Sequence, residues 1–212
     1  MPSLEKMEPI PRWPRCELHV FYVLDTSSSM YGTAIAQLNR IMMESIEALK
    51  KWAEGYNDNN IYALLKIAVL EFNSNCKWIT PNGPETLEDF ESQDLEVSLE
   101  SSEIGEALRE LDSKLSRNAF LKSMISSLMP VIIFMTDGNF TDDYEKTLDE
   151  IRQNTRFKYA TKIAIAVGEN PDCEMISEIV RNPVRRNIID EVISEINNDR
   201  SNSRNDKEVI ER

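Results

Sequence analysis

Two acidic residues directly follow apolar runs of the sequence, and one of them opens a run of hydroxyl side chains. HVFYVL at 19–24 leads into DTSSS at 25–29, and VIIFMT at 131–136 leads into Asp137. The D-x-S-x-S spacing offers one carboxylate and two hydroxyl groups from a single short loop. These are hard oxygen ligands, which suit Mg²⁺ or Mn²⁺ better than zinc or copper. A metal ion would also compensate the cost of burying a carboxylate at a strand end.

These positions form a candidate metal site. A divalent ion held by Asp25 and Asp137 would be formally neutral, and the hydroxyl groups of Ser27 and Ser29 add no charge. Such an ion keeps its affinity for one more anionic oxygen from outside. The composition is therefore suited to binding a carboxylate of another molecule.

Apolar patterning around the site indicates alternating strands and helices. Continuous apolar runs, typical of strands buried on both faces, occur at 19–24, 62–72, 131–136 and 162–167. Apolar residues three or four apart indicate helices over 34–54, with Gly55 as the expected stop, and over 104–115. This alternation predicts an α/β fold: a doubly wound, Rossmann-like, mostly parallel sheet with helices on both faces.

Shorter elements complete the predicted sheet. Residues 73–75 favour a turn into a strand over 76–80, which would add one antiparallel edge strand. Further helices are predicted over 119–128, 171–181 and 189–197. In such sheets the ligand crevice lies at the carboxyl ends of the strands, where strand order reverses. We expect Asp25 and Asp137 at this edge.

Length and composition favour one domain with polar ends. The 212 residues suffice for a single large domain. Residues 1–15 contain four prolines and are predicted to form an extended arm, 16–198 the domain, and 199–212 a disordered polar tail. The net charge of −13 argues against nucleic acid or an anionic membrane as the main partner. Three widely spaced cysteines are read as free thiols, which predicts a cytoplasmic location.

Four segments together resemble the von Willebrand factor A (VWA) domain, over about residues 18–181. FYVLDTSSSM resembles the family's first strand and metal-ion-dependent adhesion site (MIDAS), and IAVLEFNS resembles its second strand. SSEIGEALREL and VIIFMTDGNFTDD resemble its later metal-site segments. The pattern is most similar to stand-alone bacterial members associated with tellurite resistance. The resemblance implies a strand order of 3-2-1-4-5-6.

The resemblance also implies roles for individual residues. Ser27 and Ser29 would bind the metal directly, and Asp25 and Asp137 directly or through water. Ser102 stands where the family has threonine, so the hydroxyl is kept while the methyl group is lost. The implied cofactor is Mg²⁺ or Mn²⁺.

The function favoured by these features is a non-enzymatic, metal-dependent protein interaction module. Its partner would offer an Asp or Glu carboxylate, and the resemblance suggests a kinase-like or phosphatase-like protein of a bacterial stress-response or signalling system. The alternative is a Mg²⁺-dependent phosphoryl-transfer enzyme using Asp25 as nucleophile. That chemistry needs a general acid two residues later, where this chain has Ser27. A metal-free scaffold of the same fold is a third possibility.

Several residues can also be interpreted as structural rather than functional. Ser102 could cap the helix that follows it, and the Thr141–Asp143 segment reads as a helix N-terminus rather than as ligands. His19 is expected to be a bystander. The stretch 78–108 holds nine acidic residues and no Lys or Arg, which fits a solvated surface or a negative rim beside the metal. The role of Trp13 in the N-terminal arm is left open.

Overall fold

The computed structural model describes residues 16–57, 63–116, 118–121 and 128–181, apart from the side chains of 54–57 and 63. The strands are β1 (Cys16–Asp25), β2 (Ala63–Phe72), β3 (Cys76–Trp78), β4 (Glu85–Thr86), β5 (Val131–Thr136) and β6 (Thr161–Ala166). The helices are α1 (Thr33–Asn57), α2 (Ile104–Lys114), α3 (Glu145–Ile151), α4 (Thr155–Tyr159) and α5 (Cys173–Val180), with a 3-10 turn at Ser28–Met30.

The six strands form one sheet in the order β3-β2-β1-β5-β6, with β4 also paired to β2. The β1, β2, β5 and β6 strands run parallel, and β3 and β4 are both antiparallel to β2 at its outer edge. This confirms the doubly wound, mostly parallel sheet with an antiparallel edge. The short strand β4 lies off this row, so β5 and β6 take the places of the fourth and fifth strands of the order that the resemblance implies. With that shift, the five strands agree with the first five positions of the implied order.

Helices cover both faces of the sheet. On one face, α1 packs Leu38, Met42 and Ile46 against β1 side chains such as Tyr22. On the other face, α2 to α5 cover the alternate side chains of β1 and β5. Every residue from Leu18 to Ser27 is buried. The central strand is therefore covered on both faces, as its continuous apolar run predicts.

Some predicted boundaries are wrong or lie outside the described residues. Helix α1 continues through Gly55 to Asn57, because a glycine near a helix end weakens the helix without stopping it. Residues 118–121 form a turn rather than the start of a helix, and the short α4 and β4 elements have no clear periodicity in the sequence. The predicted arm 1–15, tail 199–212 and helix 189–197 lie outside the described residues, so the boundary at 198 stays a prediction.

His19 is a buried titratable group on β1. The residue is 1% exposed, its ring stacks on Phe21, and its Nδ1 atom has no hydrogen-bond partner. Burial lowers the pKa of His19 from 6.5 to about 4, although the Glu17 carboxylate opposes this shift. The imidazole is thus held neutral in the folded protein, as a structural residue.

This burial predicts an acid sensitivity that depends on one residue. Between pH 6.5 and about 4 the unfolded chain binds a proton at His19 and the folded chain does not, so the free energy of unfolding falls as the pH drops through this window. Over this pH range the free energy of unfolding of the wild-type chain should fall by roughly 3 kcal/mol more than that of His19→Phe. Urea unfolding at several pH values measures the loss. Because the chain has one histidine, an NMR titration of its imidazole signal is unambiguous, and a folded-state pKa near 6.5 would contradict the prediction.

Candidate metal centre

The candidate site lies at the carboxyl ends of β1 and β5. Leu24 is paired with Met135, so Asp25 stands beside Thr136 at the end of the neighbouring strand. From β1 the chain continues through α1 on one face to β2, whereas β5, on the other side of β1, follows α2 on the opposite face. Strand order therefore reverses between β1 and β5, which is where ligand crevices form in open α/β sheets.

The Asp25 carboxylate is the centre of the hydrogen-bond network. It is fully buried, and its Oδ1 atom accepts the backbone N–H of Ser27 at 2.9 Å. Its Oδ2 atom accepts the hydroxyl of Ser102 at 3.0 Å and that of Thr136 at 2.7 Å. One carboxylate thus joins its own loop, the loop before α2 and the end of β5.

Burial raises the pKa of Asp25, against the opposing hydrogen bonds from Ser27, Thr136 and Ser102. These hydrogen bonds come from neutral donors. They therefore offset only part of the hydration that a charged carboxylate loses on burial, and the pKa stays raised. The site therefore holds a carboxylate whose negative charge has no cationic side chain among its hydrogen-bond partners.

The other predicted ligands lie around Asp25. The hydroxyl oxygens of Ser27 and Ser29 are 3.2 Å apart, with Ser27 buried and Ser29 exposed. Asp137 is buried and follows Thr136 directly, and its Oδ1 atom accepts the backbone N–H of Asn139 at 3.0 Å. Hydrogen bonds thus link the four side chains of Asp25, Ser27, Ser29 and Ser102, whereas the Asp137 carboxylate bonds to its own loop.

Backbone hydrogen bonds fix the candidate metal loop, residues 25–29, to its neighbours. Thr26 donates its N–H to the carbonyl of Phe72 at 2.9 Å and accepts the N–H of Ser98 at 2.7 Å. Ser28 donates to the carbonyl of Glu100 at 2.9 Å. The loop that carries the serines is therefore held on one side by the end of β2 and on the other by residues 98–100.

The Ser102 hydroxyl points to the site and not to the adjacent helix. The N-cap of α2 is Glu103, which makes no side-chain cap. The helix is capped instead by Asp142, whose Oδ2 atom accepts the N–H of Gly105 at 2.8 Å. A Cβ at Gly105 would lie 2.6 Å from that oxygen, so glycine allows the approach. The interpretation of Ser102 as the cap of α2 is therefore wrong, because its hydroxyl bonds to Asp25 instead.

The predicted helix start at residues 141–143 is wrong. Helix α3 begins at Glu145, with Tyr144 as an N-cap that makes no side-chain cap. Thr141 instead donates both its N–H, at 2.8 Å, and its hydroxyl, at 2.9 Å, to the carbonyl of Ser102. Together with Asp142 it ties the Ser102 loop to the loop after β5. Asp142 does cap a helix, but that helix is α2, which precedes it in the chain.

Thr136 also belongs to the candidate site, although it is not among the residues predicted from the sequence. Its hydroxyl donates to Asp25 and accepts the N–H of Gly138 at 3.0 Å. The available signal was its place as the one polar residue of the VIIFMT run, directly before Asp137. A polar residue at the end of a fully buried strand needs a partner there.

The donor set fits a hard divalent cation. Among the described residues, no group of three or more histidine, cysteine or acidic side chains could hold a metal. A cation here would depend on two carboxylates and on hydroxyl oxygens, a set made only of oxygen. This composition suits Mg²⁺ or Mn²⁺ and does not suit a structural zinc.

The burial of Asp25 predicts how one substitution changes stability when metal is removed. In EDTA, Asp25→Asn should raise the free energy of unfolding at pH 7 by on the order of 1 kcal/mol, because it removes a desolvated charge. Since the folded-state pKa of Asp25 is raised, the difference should shrink as the pH falls and Asp25 becomes protonated. Urea unfolding at pH 7 and pH 4 measures it. A metal-free Asp25→Asn chain that is less stable at pH 7 would contradict this account.

Comparison with known proteins finds relatives in structure only. No family model matches the sequence, and no curated protein matches it. The von Willebrand factor type A protein from Catenulispora acidiphila is 13% identical with a TM-score of 0.54, over 86% of this chain and 41% of that chain. Manganese-loaded TRAP protein from Plasmodium vivax is 15% identical with a TM-score of 0.50, over 81% of this chain and 66% of that chain.

A mussel byssus protein, proximal thread matrix protein 1, is 16% identical with a TM-score of 0.49, over 78% of this chain and 39% of that one. The chain thus spans about two fifths of the length of the byssus and Catenulispora proteins. At these identities the likeness shows the fold and not the function. With its sheet order and helices on both faces, the chain has the fold of a von Willebrand factor A domain.

Proposed function

We propose that this chain is a metal-dependent protein interaction module. The observation that carries the proposal is the buried Asp25 carboxylate, which receives only neutral hydrogen bonds at a sheet edge where parallel α/β proteins bind ligands. A carboxylate in such a place is stabilised most simply by a cation. The manganese-loaded neighbour of the same fold supports a divalent ion here.

Asp25, Ser27, Ser29, Ser102 and Asp137 would hold the ion, which would be Mg²⁺ or Mn²⁺. When bound, the ion supplies an electrophilic centre that accepts an oxygen from outside. Two carboxylates neutralise its charge, so an incoming Asp or Glu carboxylate meets no net repulsion from the site. The role of this chain is to hold the hydroxyl groups in place through the loops that Thr26 and Thr141 fix.

A phosphoryl-transfer enzyme is the weaker candidate. The position two residues after Asp25 holds a hydroxyl, which is a poor proton donor to a leaving group at neutral pH. The three groups that donate to Asp25 are the N–H of Ser27 and the hydroxyls of Ser102 and Thr136, and none of them is acidic enough to protonate a leaving group. These features support a binding role rather than a nucleophilic one.

The biological setting is proposed from the family resemblance. It suggests a bacterial stress-response or signalling system, as in tellurite resistance, and a kinase-like or phosphatase-like partner. A cytoplasmic location is proposed from the free cysteines, of which Cys16, Cys76 and Cys173 form no disulfide. Within the part of the chain that the structure describes, none of the helices has the length and apolar character needed to span a bilayer.

The metal site predicts a stabilisation by Mg²⁺ or Mn²⁺. An ion that binds the folded state at ten times its Kd adds roughly 1.4 kcal/mol. This corresponds to a rise in Tm of roughly 3–6 °C for a chain of this size. Calorimetry of wild type and Asp137→Ala across a metal series measures the rise, which the variant should lose. Asp143→Ala is the matched control, because Asp143 is an exposed carboxylate nearby. Equal responses of wild type and Asp137→Ala would refute the site.

The interaction role predicts that the chain has no phosphatase activity of its own. With p-nitrophenyl phosphate and millimolar Mg²⁺, release of nitrophenol should equal that of an Asp25→Asn sample prepared in parallel. The reason is the missing general acid at position 27. Turnover that Asp25→Asn abolishes would instead establish the enzymatic candidate.

A further inference from the structure

Two large apolar side chains beside the candidate metal site are almost fully exposed. Leu99 is 90% exposed and Tyr31 is 80% exposed. The other exposed large apolar residues of the described chain lie between 40% and 61%. Apolar side chains left in water next to a binding site are typical of a surface that a partner covers.

The backbone holds both side chains next to the metal loop. Leu99 lies between two hydrogen bonds that join its loop to this one, from Ser98 to Thr26 at 2.7 Å and from Ser28 to Glu100 at 2.9 Å. Tyr31 donates its N–H to the carbonyl of Ser28 at 3.3 Å. Both are therefore presented by ordered backbone, which reduces the entropy that a partner must overcome on binding.

Acidic residues precede and follow Leu99 on the same loop. Asp94, Glu96 and Glu100 are all exposed, and no Lys or Arg occurs between positions 78 and 108. The Glu100 carboxylate is itself held by hydrogen bonds from Ser74 and Asn75. This charge favours a basic partner and would repel one that is acidic throughout.

We propose that Tyr31, Leu99, Asp94, Glu96 and Glu100 form a recognition rim that selects the partner of the metal site. The partner is a protein segment in which the metal-binding Asp or Glu lies next to a large apolar residue, with Lys or Arg a few residues away. The apolar residue covers Leu99 and Tyr31, and the basic residue faces the acidic loop. This inference rests on the proposed function, because the acidic residue of the segment needs the metal.

A phage-displayed library of random 12-residue peptides tests the rim. Wild-type protein in Mg²⁺ is used for selection, and bound phage are released with EDTA. Selected peptides should carry Asp or Glu beside Leu, Ile, Phe or Trp, with Lys or Arg within the segment. The strongest peptide is then made with a fluorescent label, and its Kd is measured by anisotropy against each variant.

The double variant Tyr31→Ser with Leu99→Ser should weaken binding at least tenfold. It should leave the metal-dependent rise in Tm unchanged, since neither side chain is a ligand. Asp94→Asn with Glu96→Gln should weaken binding about threefold and reduce its dependence on salt. Met43→Ser is the matched control, because Met43 is a 49% exposed apolar residue of α1. Its Kd should stay within twofold of wild type.

The outcomes separate the rim from the metal site. Selected acidic peptides without a neighbouring apolar residue, or a double variant within twofold of wild type, would overturn the rim and leave the metal site standing. Selected peptides that lack an acidic residue, or whose Kd by anisotropy is the same in EDTA as in Mg²⁺, would overturn the proposed function. If no peptide is selected, the rim proposal fails, and the metal site is then judged by its Tm response alone.

Discussion

The loss of solvation at Asp25 is the constraint on which the rest of the site depends. Strand β1 is buried on both faces, so the side chain at its end cannot reach bulk water. Three donors from three parts of the chain surround its oxygens. The loop after β1, the end of β5 and the loop before α2 must therefore lie close together, so that each can donate a hydrogen bond to Asp25.

The apolar pattern of the sequence is sufficient to predict the central strands and the edge of the sheet that carries the site. The apolar runs of β1 and β5 need burial on both faces, and this dictates a parallel sheet with Asp25 and Asp137 at one edge. The similar run of β6 is only half-buried in the described sheet. The cap from Asp142 to α2 could not be predicted in the same way. An Asp three residues before a helix looks like its cap, and only the packing of α2 beside α3 redirects it. The Thr136 contact likewise depends on strand register.

The metal site and the recognition rim would contribute different properties to binding. A metal-bridged carboxylate is common to any acidic segment, so it supplies strength and a dependence on the ion with little discrimination. Apolar contacts at Leu99 and Tyr31 are specific to the neighbouring side chain of the partner. The acidic loop disfavours segments that carry several carboxylates, although these would otherwise bind the ion. Selectivity would therefore come from residues that never touch the metal.

The sequence separation within the Asp25 network has a consequence for the order of folding. Asp25 is 77 residues from Ser102 and 111 residues from Thr136, and parallel strands must close long loops before they pair. The network around Asp25 includes Thr136 and is therefore complete only when β5 has joined β1. A nascent or truncated chain that ends before β5 would expose its serines without forming the centre. Competence to bind a partner would thus report that the sheet is complete.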